Sequence, residues 1–562
     1  MLIRKLLIVV LICLIIAASV SLVLLKSYRT AQHELALALS LLNENKIDQA
    51  YMAFTRLEES FWVRNHARLG RIITAVLTHR DHTSIPQPGK EDMHTVHIDR
   101  YHLPSLLKKQ FRSANFDTCA ALAQIGRFYK VEAADIYYAA ALLEKGETEL
   151  AFQLYSRLPH RLKSTFMGTR VKQTLEFLRA GARKIVRDHR GELIGFIDDH
   201  REFTFYRPQY RAYIQPVVLK EILNSADTPR GFRLSIDLEL SRTALEALGE
   251  NRGSIVLVKP GTGEILAAVS DEQTVKAGGE GASPAFEQML EPASILKLVT
   301  ITAAYRSGLN PDEEIRGKKC RGAKRYSGKF LYCPAAQGEL YGLDHALAVS
   351  CNTSFADLGV AVGWEKMLAE LRLFGFDSQK ENPFPFGRII IDRGDDRALA
   401  DLAIGLENTR ITPVHAAFIA AVFAADGTWV NPELISARDG FTGLCPVAME
   451  RVRGISGGVR ILNEGWLPAI RNAMWAVTRY GGTAAFIAPI GFQVYMKTGT
   501  GGNARDGFHI NYIGYSPGDR RGIAFCVRVT GKRTSSRIRR AGYAVNKELL
   551  IRLKRIALRG GI

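Results

Sequence analysis

The stretch LEPASILKLVT, residues 290–300, places Ser294 and Lys297 three positions apart at the start of an apolar run with helical spacing. Residues three apart on a helix lie on the same face, so these two side chains can approach each other. A lysine amine accepts a proton from a serine when apolar neighbours lower its pKa, and the leucines and valine of this run supply them. The pattern alone is weak, because about one chance match is expected in a chain of this size.

Two further motifs lie downstream. The segment AVSCNTSFADLG contains Ser350-Cys351-Asn352, and VYMKTGTGG contains Lys497-Thr498-Gly499-Thr500 on a predicted strand. A serine with a lysine one turn later, a second Ser-x-Asn and a strand that carries Lys-Thr-Gly form the signature set of penicillin-binding proteins and serine β-lactamases. Chance agreement of all three in this order is on the order of one per cent. Residues 233–558 therefore resemble the transpeptidase domain of penicillin-binding proteins.

The resemblance extends beyond these motifs. LSIDLELSRTALEAL is similar to the opening of that domain, SIVLVKPGTGEILAAVS to its first hairpin, and HINYIGYSP to the strand after Lys-Thr-Gly. Ala293 stands where the family usually has glycine, and Leu296 where it usually has phenylalanine; both changes are conservative for packing. We find no glycosyltransferase motif, so the resemblance implies a monofunctional, class B-like enzyme.

The strand pattern predicts an α+β fold. The β-branched runs GSIVLVK and GEILAAVS are separated by Pro260-Gly261-Thr262, which predicts an antiparallel hairpin. Three more strand-like runs, FQVYMKTGT, FHINYIGYSP and GIAFCVRVT, lie far downstream, and the sequence between the two sets is mainly helical. We therefore expect one central antiparallel sheet built from both ends of the domain and flanked by helices.

The resemblance implies acid–base roles for four residues. Ser294 attacks the carbonyl between the last two residues of a D-Ala-D-Ala stem peptide, and Lys297 is the base. Ser350 relays the proton to the leaving D-alanine, while Asn352 orients the lysine and the substrate amide.

The strand motif has implied roles of its own. Lys497 is a fixed cation that helps to hold Lys297 neutral and attracts the substrate carboxylate. Thr498 and Thr500 donate hydroxyl groups to the substrate, and Gly499 lets the strand backbone come close to it. The backbone N–H groups of Thr500 and of the nucleophile form the oxyanion hole.

These roles predict a peptidoglycan D,D-transpeptidase that cross-links stem peptides through a serine acyl-enzyme and binds penicillin covalently. Three alternatives share the motifs and stay open: a D,D-carboxypeptidase, a β-lactamase, and a non-catalytic β-lactam sensor or scaffold of wall synthesis. The predicted partners are D-Ala-D-Ala stem peptides, β-lactams as inhibitors and the membrane, with a possible protein partner and no nucleic acid.

The N-terminus predicts a membrane anchor. Residues 6–25 form an uninterrupted apolar run of about the 30 Å that a bilayer requires of a helix. Arg4 and Lys5 favour a cytoplasmic position for residues 1–5. We therefore expect a single-pass protein of the bacterial cytoplasmic (inner) membrane with the bulk of the chain on the periplasmic side. A cleaved signal peptide is the alternative.

The pattern of residues 26–180 predicts a helical domain, and one interpretation is a tetratricopeptide-like domain that binds a partner. Two segments, NENKIDQAYMAFTRLEE and EKGETELAFQLYSRLPH, share a small residue, an aromatic residue four positions later and then a leucine. An ordinary helical domain with chance similarity is the alternative. Residues 181–232 form a predicted linker or small β segment.

Composition adds limits. The 562 residues carry a formal net charge of +19, which suits an anionic wall polymer or another polyanion. None of the seven cysteines forms a C-x-x-C pair, so we predict neither a metal site nor a cofactor. His79, His82, His94 and His97 form two H-x-x-H pairs that we interpret as solvated loop residues.

Two other features leave alternatives. Cys320 and Cys333 bracket a basic loop and could be either a disulfide or two free thiols. The segment from Lys532 to Arg559 has ten basic residues, one acidic residue and an apolar stripe. We favour the closing helix of the domain, packed on the sheet, over a membrane-surface element.

Overall fold

The computed structural model describes residues 2–78, 101–112, 115–224, 232–279, 281–378, 384–391, 393–438, 458–517, 522–532 and 534–558. The chain divides into two compact units, with the change from the first to the second at Gly181 and Ala182. The four histidines of the H-x-x-H pairs lie outside the described residues.

The first unit is helical throughout its described ranges. Its elements are α1 (Leu2–Asn43), α2 (Ile47–Leu57), α3 (Arg64–Leu77), α4 (Leu103–Arg112), α5 (Phe116–Phe128), α6 (Ala134–Glu144), α7 (Thr148–Ser156), α8 (His160–Lys163) and α9 (Phe166–Arg179). The two similar segments become α2 and α7, whose shared small and aromatic residues are buried. The helical prediction is confirmed, and the tetratricopeptide-like relationship stays a prediction.

Helix α1 has two parts with different surroundings. Apolar side chains such as Leu22 and Val23 are largely exposed, and the segment Cys13–Asn43 is long and apolar enough to cross a bilayer. Leu35, Ala38 and Leu42 near its other end are buried in the core of the helical unit. One continuous helix thus carries an exposed apolar segment into a packed domain.

The second unit contains strands and helices. Its strands are β1 (Lys184–Arg187), β2 (Leu193–Ile197), β3 (Phe203–Phe205), β4 (Phe232–Leu234), β5 (Gly253–Val258), β6 (Ile265–Ser270), β7 (Lys319–Cys320), β8 (Ala323–Tyr326), β9 (Lys329–Tyr332), β10 (Gly338–Glu339), β11 (Gly387–Ile389), β12 (Thr409–Ile411), β13 (Thr428–Trp429), β14 (Ile435–Arg438), β15 (Val459–Arg460), β16 (Tyr495–Asn503), β17 (Gly507–Ser516) and β18 (Ile523–Gly531).

The helices of this unit lie mostly between β6 and β16. They are α10 (Pro216–Asn224), α11 (Leu238–Leu248), α12 (Glu272–Ala277), α13 (Pro284–Glu287), α14 (Lys297–Arg306), α15 (Pro311–Ile315), α16 (Leu343–Ala348), α17 (Asn352–Val362), α18 (Trp364–Leu373), α19 (Asp396–Ala403), α20 (Pro413–Ala424), α21 (Leu467–Ala476) and α22 (Ser535–Leu558).

The central sheet has five strands in the order β16-β17-β18-β5-β6, and every neighbouring pair is antiparallel. Strands from the start and the end of the domain therefore pair directly, as the α+β prediction expected. Strands β5 and β6 are buried along their whole length, which explains their continuous apolar sequence.

Helices cover this sheet. The closing helix α22 packs against β17 and β18 through a stripe that includes Val545, Leu549 and Leu553, so the favoured interpretation of the basic tail is confirmed. Helix α20, which is buried on nearly all sides, packs against β5, β17 and β18.

A second five-stranded sheet, with shorter strands, is built mainly from the chain that precedes the catalytic motifs. Its order is β14-β4-β1-β2-β3, with β1 and β4 parallel and the other pairs antiparallel. Strands β1, β2 and β3 come from the predicted linker or small β segment, and β14 comes from much later in the chain.

Candidate active site

Ser294 lies in a short 3-10 turn, Ala293–Leu296, that leads directly into α14. The serine is half-buried and lines a cavity of about 660 Å³. The same cavity is lined by Ser350, Asn352, Thr498 and Thr500. Residues from three separated parts of the sequence therefore meet at one concave surface.

The residue before Ser294 has an unusual backbone conformation. Ala293 has φ +52°, in the left-handed region that favours glycine. Its N–H donates to Gly405 O at 2.8 Å, and a Cβ at Gly405 would lie only 2.3 Å from Ala293 O. The turn is thus fixed by a close backbone contact, and alanine at position 293 is conformationally less favourable than the packing argument implied.

Lys297 is fully buried on the first turn of α14. Its Nζ donates to Asn352 Oδ1 at 2.7 Å, to Ser350 O at 2.8 Å and to Ser350 Oγ at 3.1 Å. The ring of Phe355 lies 5.4 Å from Nζ. Burial lowers the pKa of Lys297 to about 7, against an attraction from nearby cysteines that raises it. This is the value that a general base at neutral pH requires.

The Ser-x-Asn motif connects two helices. Ser350 follows α16 with φ +57°, and Asn352 begins α17. The left-handed residue turns the chain so that the Ser350 hydroxyl and the Asn352 side chain both reach Lys297. Asn352 Nδ2 also donates to Tyr332 O at 2.7 Å, which fixes the orientation of its amide.

Lys497 approaches the same hydroxyl from strand β16. Its Nζ donates to Ser350 Oγ at 2.9 Å and to Thr498 O at 2.9 Å, and its side chain is fully buried. Burial, together with the charge of Lys297, lowers the pKa of Lys497 well below its ordinary value. Lys497, which the sequence predicted to be a fixed cation, is therefore one of two buried amines that both contact the Ser350 hydroxyl. Because two neighbouring buried positive charges are unfavourable, a state in which either Lys297 or Lys497 is neutral is favoured.

Thr498 and Gly499 of the Lys-Thr-Gly motif contact residues that the sequence analysis did not identify. Thr498 Oγ1 donates to Thr483 Oγ1 at 2.8 Å, and Thr483 also lines the cavity. A Cβ at Gly499 would lie 2.7 Å from Pro292 O, so glycine allows β16 to pack closely against the turn that carries Ser294.

Buried polar groups of the sheet hold the chain that precedes Ser294. His509 Nε2 donates to Glu291 O at 2.8 Å, and Asn511 Nδ2 donates to the same oxygen at 3.3 Å. Arg528, which is fully buried, donates to Asn511 Oδ1, Gln288 O and Ile411 O. The sequence analysis predicted the strands that carry these residues but not the residues' roles, because their partners are distant in the chain.

Three cysteines also meet next to the motif. Cys351 lies between Ser350 and Asn352, and its Sγ is 3.8 Å from that of Cys333. The Cys320 and Cys333 thiols are free and their sulfurs lie 3.5 Å apart. Sequence spacing alone did not predict this cluster, since its third member comes from the Ser-x-Asn motif.

The eight predicted site residues thus lie around one cavity or directly behind it. Lys297, Ser350, Asn352 and Lys497 form a continuous hydrogen-bonded group. Within the described part of the chain, the Ser294 hydroxyl makes no hydrogen bond. Catalytic hydrogen bonds often tighten only when substrate is bound, so this geometry is compatible with a nucleophile.

A model of the penicillin binding protein transpeptidase domain matches residues 253–553. The chain belongs to this family. The penicillin-binding-protein fold that the sequence motifs predicted is therefore confirmed, with the mixed helix and sheet architecture described above.

Relatives are named for the same activity. The chain is 26% identical over 339 residues to the peptidoglycan D,D-transpeptidase PbpA of Mycolicibacterium smegmatis, covering 54% of this chain and 68% of that protein. It is 25% identical over 314 residues to PbpA of Mycobacterium tuberculosis, covering 50% and 62% respectively. The matches thus span about two thirds of these relatives.

A solved structure shares the fold. The penicillin G acyl-enzyme complex of penicillin-binding protein A from M. tuberculosis has a TM-score of 0.52 and 21% identity. The comparison covers 65% of this chain and 99% of that one. At this identity, the likeness establishes the fold.

Proposed function

We propose that this penicillin-binding protein is a peptidoglycan D,D-transpeptidase, in which Ser294 forms an acyl-enzyme with a D-Ala-D-Ala stem peptide. The observation that carries the proposal is the fully buried Lys297 amine, held by Ser350 and Asn352 in the site that Ser294 lines. Family membership and the relatives named for this activity support the same conclusion.

Acylation begins with a proton transfer. Neutral Lys297 accepts the proton of the Ser294 hydroxyl while Oγ attacks the carbonyl carbon of the penultimate D-alanine. The carbonyl oxygen gains negative charge, and the backbone N–H groups of Ser294 and Thr500 are the proposed donors to it. Loss of one such donor typically costs roughly a hundredfold in rate.

The tetrahedral intermediate then collapses to an ester. The C–N bond to the terminal D-alanine breaks, and its nitrogen receives a proton through Ser350, whose hydroxyl lies between the two lysine amines. An amine of a neighbouring stem peptide attacks the ester and loses a proton to the same group of residues. A new peptide bond forms, and the Ser294 hydroxyl is regenerated.

Substrate binding falls to the strand motif and the cavity walls. Lys497, together with the Thr498 and Thr500 hydroxyls, attracts the terminal carboxylate, and Asn352 accepts or donates at the substrate amide. Arg539 and Arg540 also line the cavity and add positive charge that suits this carboxylate. Gly499 keeps β16 close to the Ser294 turn, so that Thr498 and Thr500 line the same cavity as the nucleophile.

The location follows from the substrate. We propose that residues 6–25 anchor the chain in the cytoplasmic membrane as a single span, with both folded units on the periplasmic side where peptidoglycan is built. We also propose that the helical unit binds a protein partner. Deletion of residues 30–180 should then alter localisation or complex formation.

The test is intact-mass analysis of the purified chain after addition of benzylpenicillin, followed over several hours. We expect a stable adduct of one penicillin on the wild type and none on Ser294→Ala. Ser536→Ala, in the exposed first turn of α22, is the matched control and should form the adduct like the wild type.

The lifetime of the adduct separates the alternatives. Rapid loss of the adduct as hydrolysed penicillin would identify a β-lactamase, and conversion of a D-Ala-D-Ala peptide to free D-alanine without cross-linking would identify a carboxypeptidase. Absence of any adduct on folded wild-type protein would overturn the proposal and favour a non-catalytic scaffold of wall synthesis.

A further inference from the structure

The cysteine cluster, defined as Cys320, Cys333 and Cys351, has the dimensions of a metal site. Its three sulfur atoms lie within 4.8 Å of one another, with measured separations of 3.5 Å and 3.8 Å for the two pairs that contain Cys333. Tetrahedral zinc with Zn–S bonds of about 2.3 Å holds its sulfurs about 3.8 Å apart. The cluster therefore already has nearly the sulfur spacing that a bound zinc ion imposes.

One oxygen atom lies where the fourth ligand of a tetrahedral ion would be. Thr353 Oγ1 lies 3.4 Å from the sulfur of Cys351, 3.6 Å from that of Cys333 and 3.8 Å from that of Cys320. A zinc ion bound to three sulfurs and one oxygen would separate each sulfur from the oxygen by roughly 3.6 Å. The hydroxyl thus faces all three sulfurs, at the position that a fourth ligand occupies.

The surroundings suit sulfur atoms in their thiolate form. The Thr353 backbone N–H donates to Cys333 Sγ at 3.4 Å, and Ser354 Oγ donates to Cys351 Sγ at 3.1 Å. Cys351 is the N-cap of the 11-residue helix α17, where the helix dipole favours negative charge. Donors that hold the ligands in place are a regular feature of protein metal sites.

The cluster has an entry path and a compensating charge. Cys333 is partly exposed, while Cys320 and Cys351 are buried. Thr353 and Ser354 also line a surface cavity of about 790 Å³ whose rim is basic, with Lys318, Lys319, Arg321 and Lys324. Three thiolates with a divalent ion carry a net negative charge, which these side chains offset.

We propose that Cys320, Cys333 and Cys351 bind a thiophilic divalent metal ion of the zinc type as thiolates, with the Thr353 hydroxyl in the fourth position. The three protein segments that the ion would join are β7, the end of the β8–β9 hairpin and the start of α17. The Tyr326 hydroxyl already donates to Asp357 Oδ1 at 2.6 Å and lies 3.1 Å from Thr353 O, so the hairpin and the helix are joined beside the cluster in the absence of a metal ion.

The site has a consequence for the neighbouring motif that rests on the proposed function. Asn352 follows Cys351 and donates to the carbonyl of Tyr332, the residue before Cys333. A metal ion that ties Cys333 to Cys351 would fix both ends of this hydrogen bond. The Asn352 side chain would then be held towards Lys297, and acylation would be faster in the metal-bound protein.

The first experiment measures metal content. The full chain is purified in detergent with reductant, stripped with a chelator, supplied with Zn²⁺ and desalted before elemental mass spectrometry. We expect one equivalent of zinc in the wild type and loss of most of it in Cys320→Ser, Cys333→Ser and Cys351→Ser. Cys119→Ser is the control, because this buried cysteine lies in α5 of the helical unit and should not change the zinc content.

A second measurement uses the wild-type protein, so it does not require that a cysteine variant folds. Co²⁺ added to the stripped wild type should give the thiolate-to-cobalt absorption and the visible bands of a tetrahedral site, and Zn²⁺ should displace them. Thr353→Val should weaken Zn²⁺ binding about tenfold, the lower end of what loss of a supporting group costs.

Three outcomes would overturn the metal site. They are a reduced wild type that retains no zinc, variants that retain as much zinc as Cys119→Ser, and peptide mapping that finds a disulfide between two of the three cysteines in protein purified without reductant. Zinc binding with no penicillin adduct in either state would instead contradict the proposed function and leave the site intact.

Discussion

The chemistry of this site depends first on the burial of one amine. Among the described residues no carboxylate contacts Lys297, and its hydrogen bonds go to a carbonyl, a hydroxyl and an amide oxygen. Neutral acceptors of this kind hold the side chain in place without providing a full opposite charge. Desolvation therefore dominates, and the amine can be neutral near pH 7.

The rate of acylation should follow the titration of Lys297. The neutral amine is the active form, and its pKa is lowered to about 7 by burial, so the rate should fall about tenfold for each pH unit below that value and level off above it. Stopped-flow measurement with a fluorescent penicillin from about pH 5 to pH 9 provides the profile. A rate constant independent of pH in this range, with unchanged circular dichroism, would exclude Lys297 as the base.

Ala293 offers a stability test at a single residue. Its φ of +52° costs an L-residue about 1–2 kcal/mol, whereas glycine adopts it freely but loses more entropy on folding. Ala293→Gly should therefore raise the free energy of unfolding by about 1 kcal/mol. Denaturant unfolding of the purified protein measures this difference.

The matched control has the opposite expected sign. Ala361 is exposed near the end of helix α17, where glycine lowers helix stability. Ala361→Gly should reduce the free energy of unfolding by up to about 1 kcal/mol. Equal losses in both variants would contradict the proposed strain at Ala293.

At the scale of elements, the sheet and the nucleophile turn are joined by a buried cation. Arg528 on β18 donates to Asn511 on β17 and to two carbonyls outside the sheet, those of Gln288 and Ile411. Gln288 lies in the chain that leads to the Ser294 turn. A single side chain thus connects two strands, the approach to α20 and the approach to the nucleophile.

Arg528→Met should be strongly destabilising. It keeps much of the side-chain volume but leaves two buried acceptors and one part-buried acceptor without this donor, at a combined cost of about 3 kcal/mol. We also expect slower acylation by benzylpenicillin, since Asn511 supports the Glu291 carbonyl. Thermal unfolding and the adduct rate measure the two effects.

Arg505→Met is the control for this change. Arg505 is exposed in the turn between β16 and β17 of the same sheet. Surface substitutions of this kind usually change stability by less than about 0.5 kcal/mol. A similar loss in both variants would refute a special role for the buried guanidinium.

The sequence predicted the elements of the central sheet because their signal is local. Strands β5 and β6 are apolar runs buried on both faces, and β16 carries the Lys-Thr-Gly motif. The short strands β7 to β10 lie in a region expected to be mainly helical, and several of their residues are exposed and charged. Such strands have no local apolar pattern, so only tertiary pairing reveals them.

The same distinction applies to the site. The motif residues could be predicted because they form short local patterns, Ser-x-x-Lys, Ser-x-Asn and Lys-Thr-Gly, that resemble those of the family. His509, Asn511 and Arg528 could not, since each acts through a partner that folding brings close from a distant part of the chain. A strand residue with no motif gives no indication of the carbonyl that it will meet.

At the scale of the whole molecule, each of the two units has its own hydrophobic core. Every predicted site residue and every member of the cysteine cluster lies after Ala182. A fragment of residues 182–562 should therefore fold and form the benzylpenicillin adduct at a rate within about twofold of the full chain, as expected for an independent domain.

The fragment is tested by gel filtration, thermal unfolding and intact mass with benzylpenicillin. Full-length Ser294→Ala and the corresponding fragment variant provide the blank for each form. A soluble fragment with no adduct, beside a reactive full chain, would show that the first unit is needed for the site and contradict this prediction.

The pairing of distant strands in the central sheet determines when the newly made chain becomes reactive. Val258 on β5 pairs with Ala524 on β18, and Lys497 reaches Ser350 only when β16 has joined the same sheet. Contacts between such distant positions form slowly, because a long loop must close before any of them is gained. During synthesis, Ser294 is therefore present before the active site is complete. The site becomes reactive only after β16, β17 and β18 have been made and have joined β5 in the sheet. Until then, the unpaired strands depend on protection from aggregation and proteolysis.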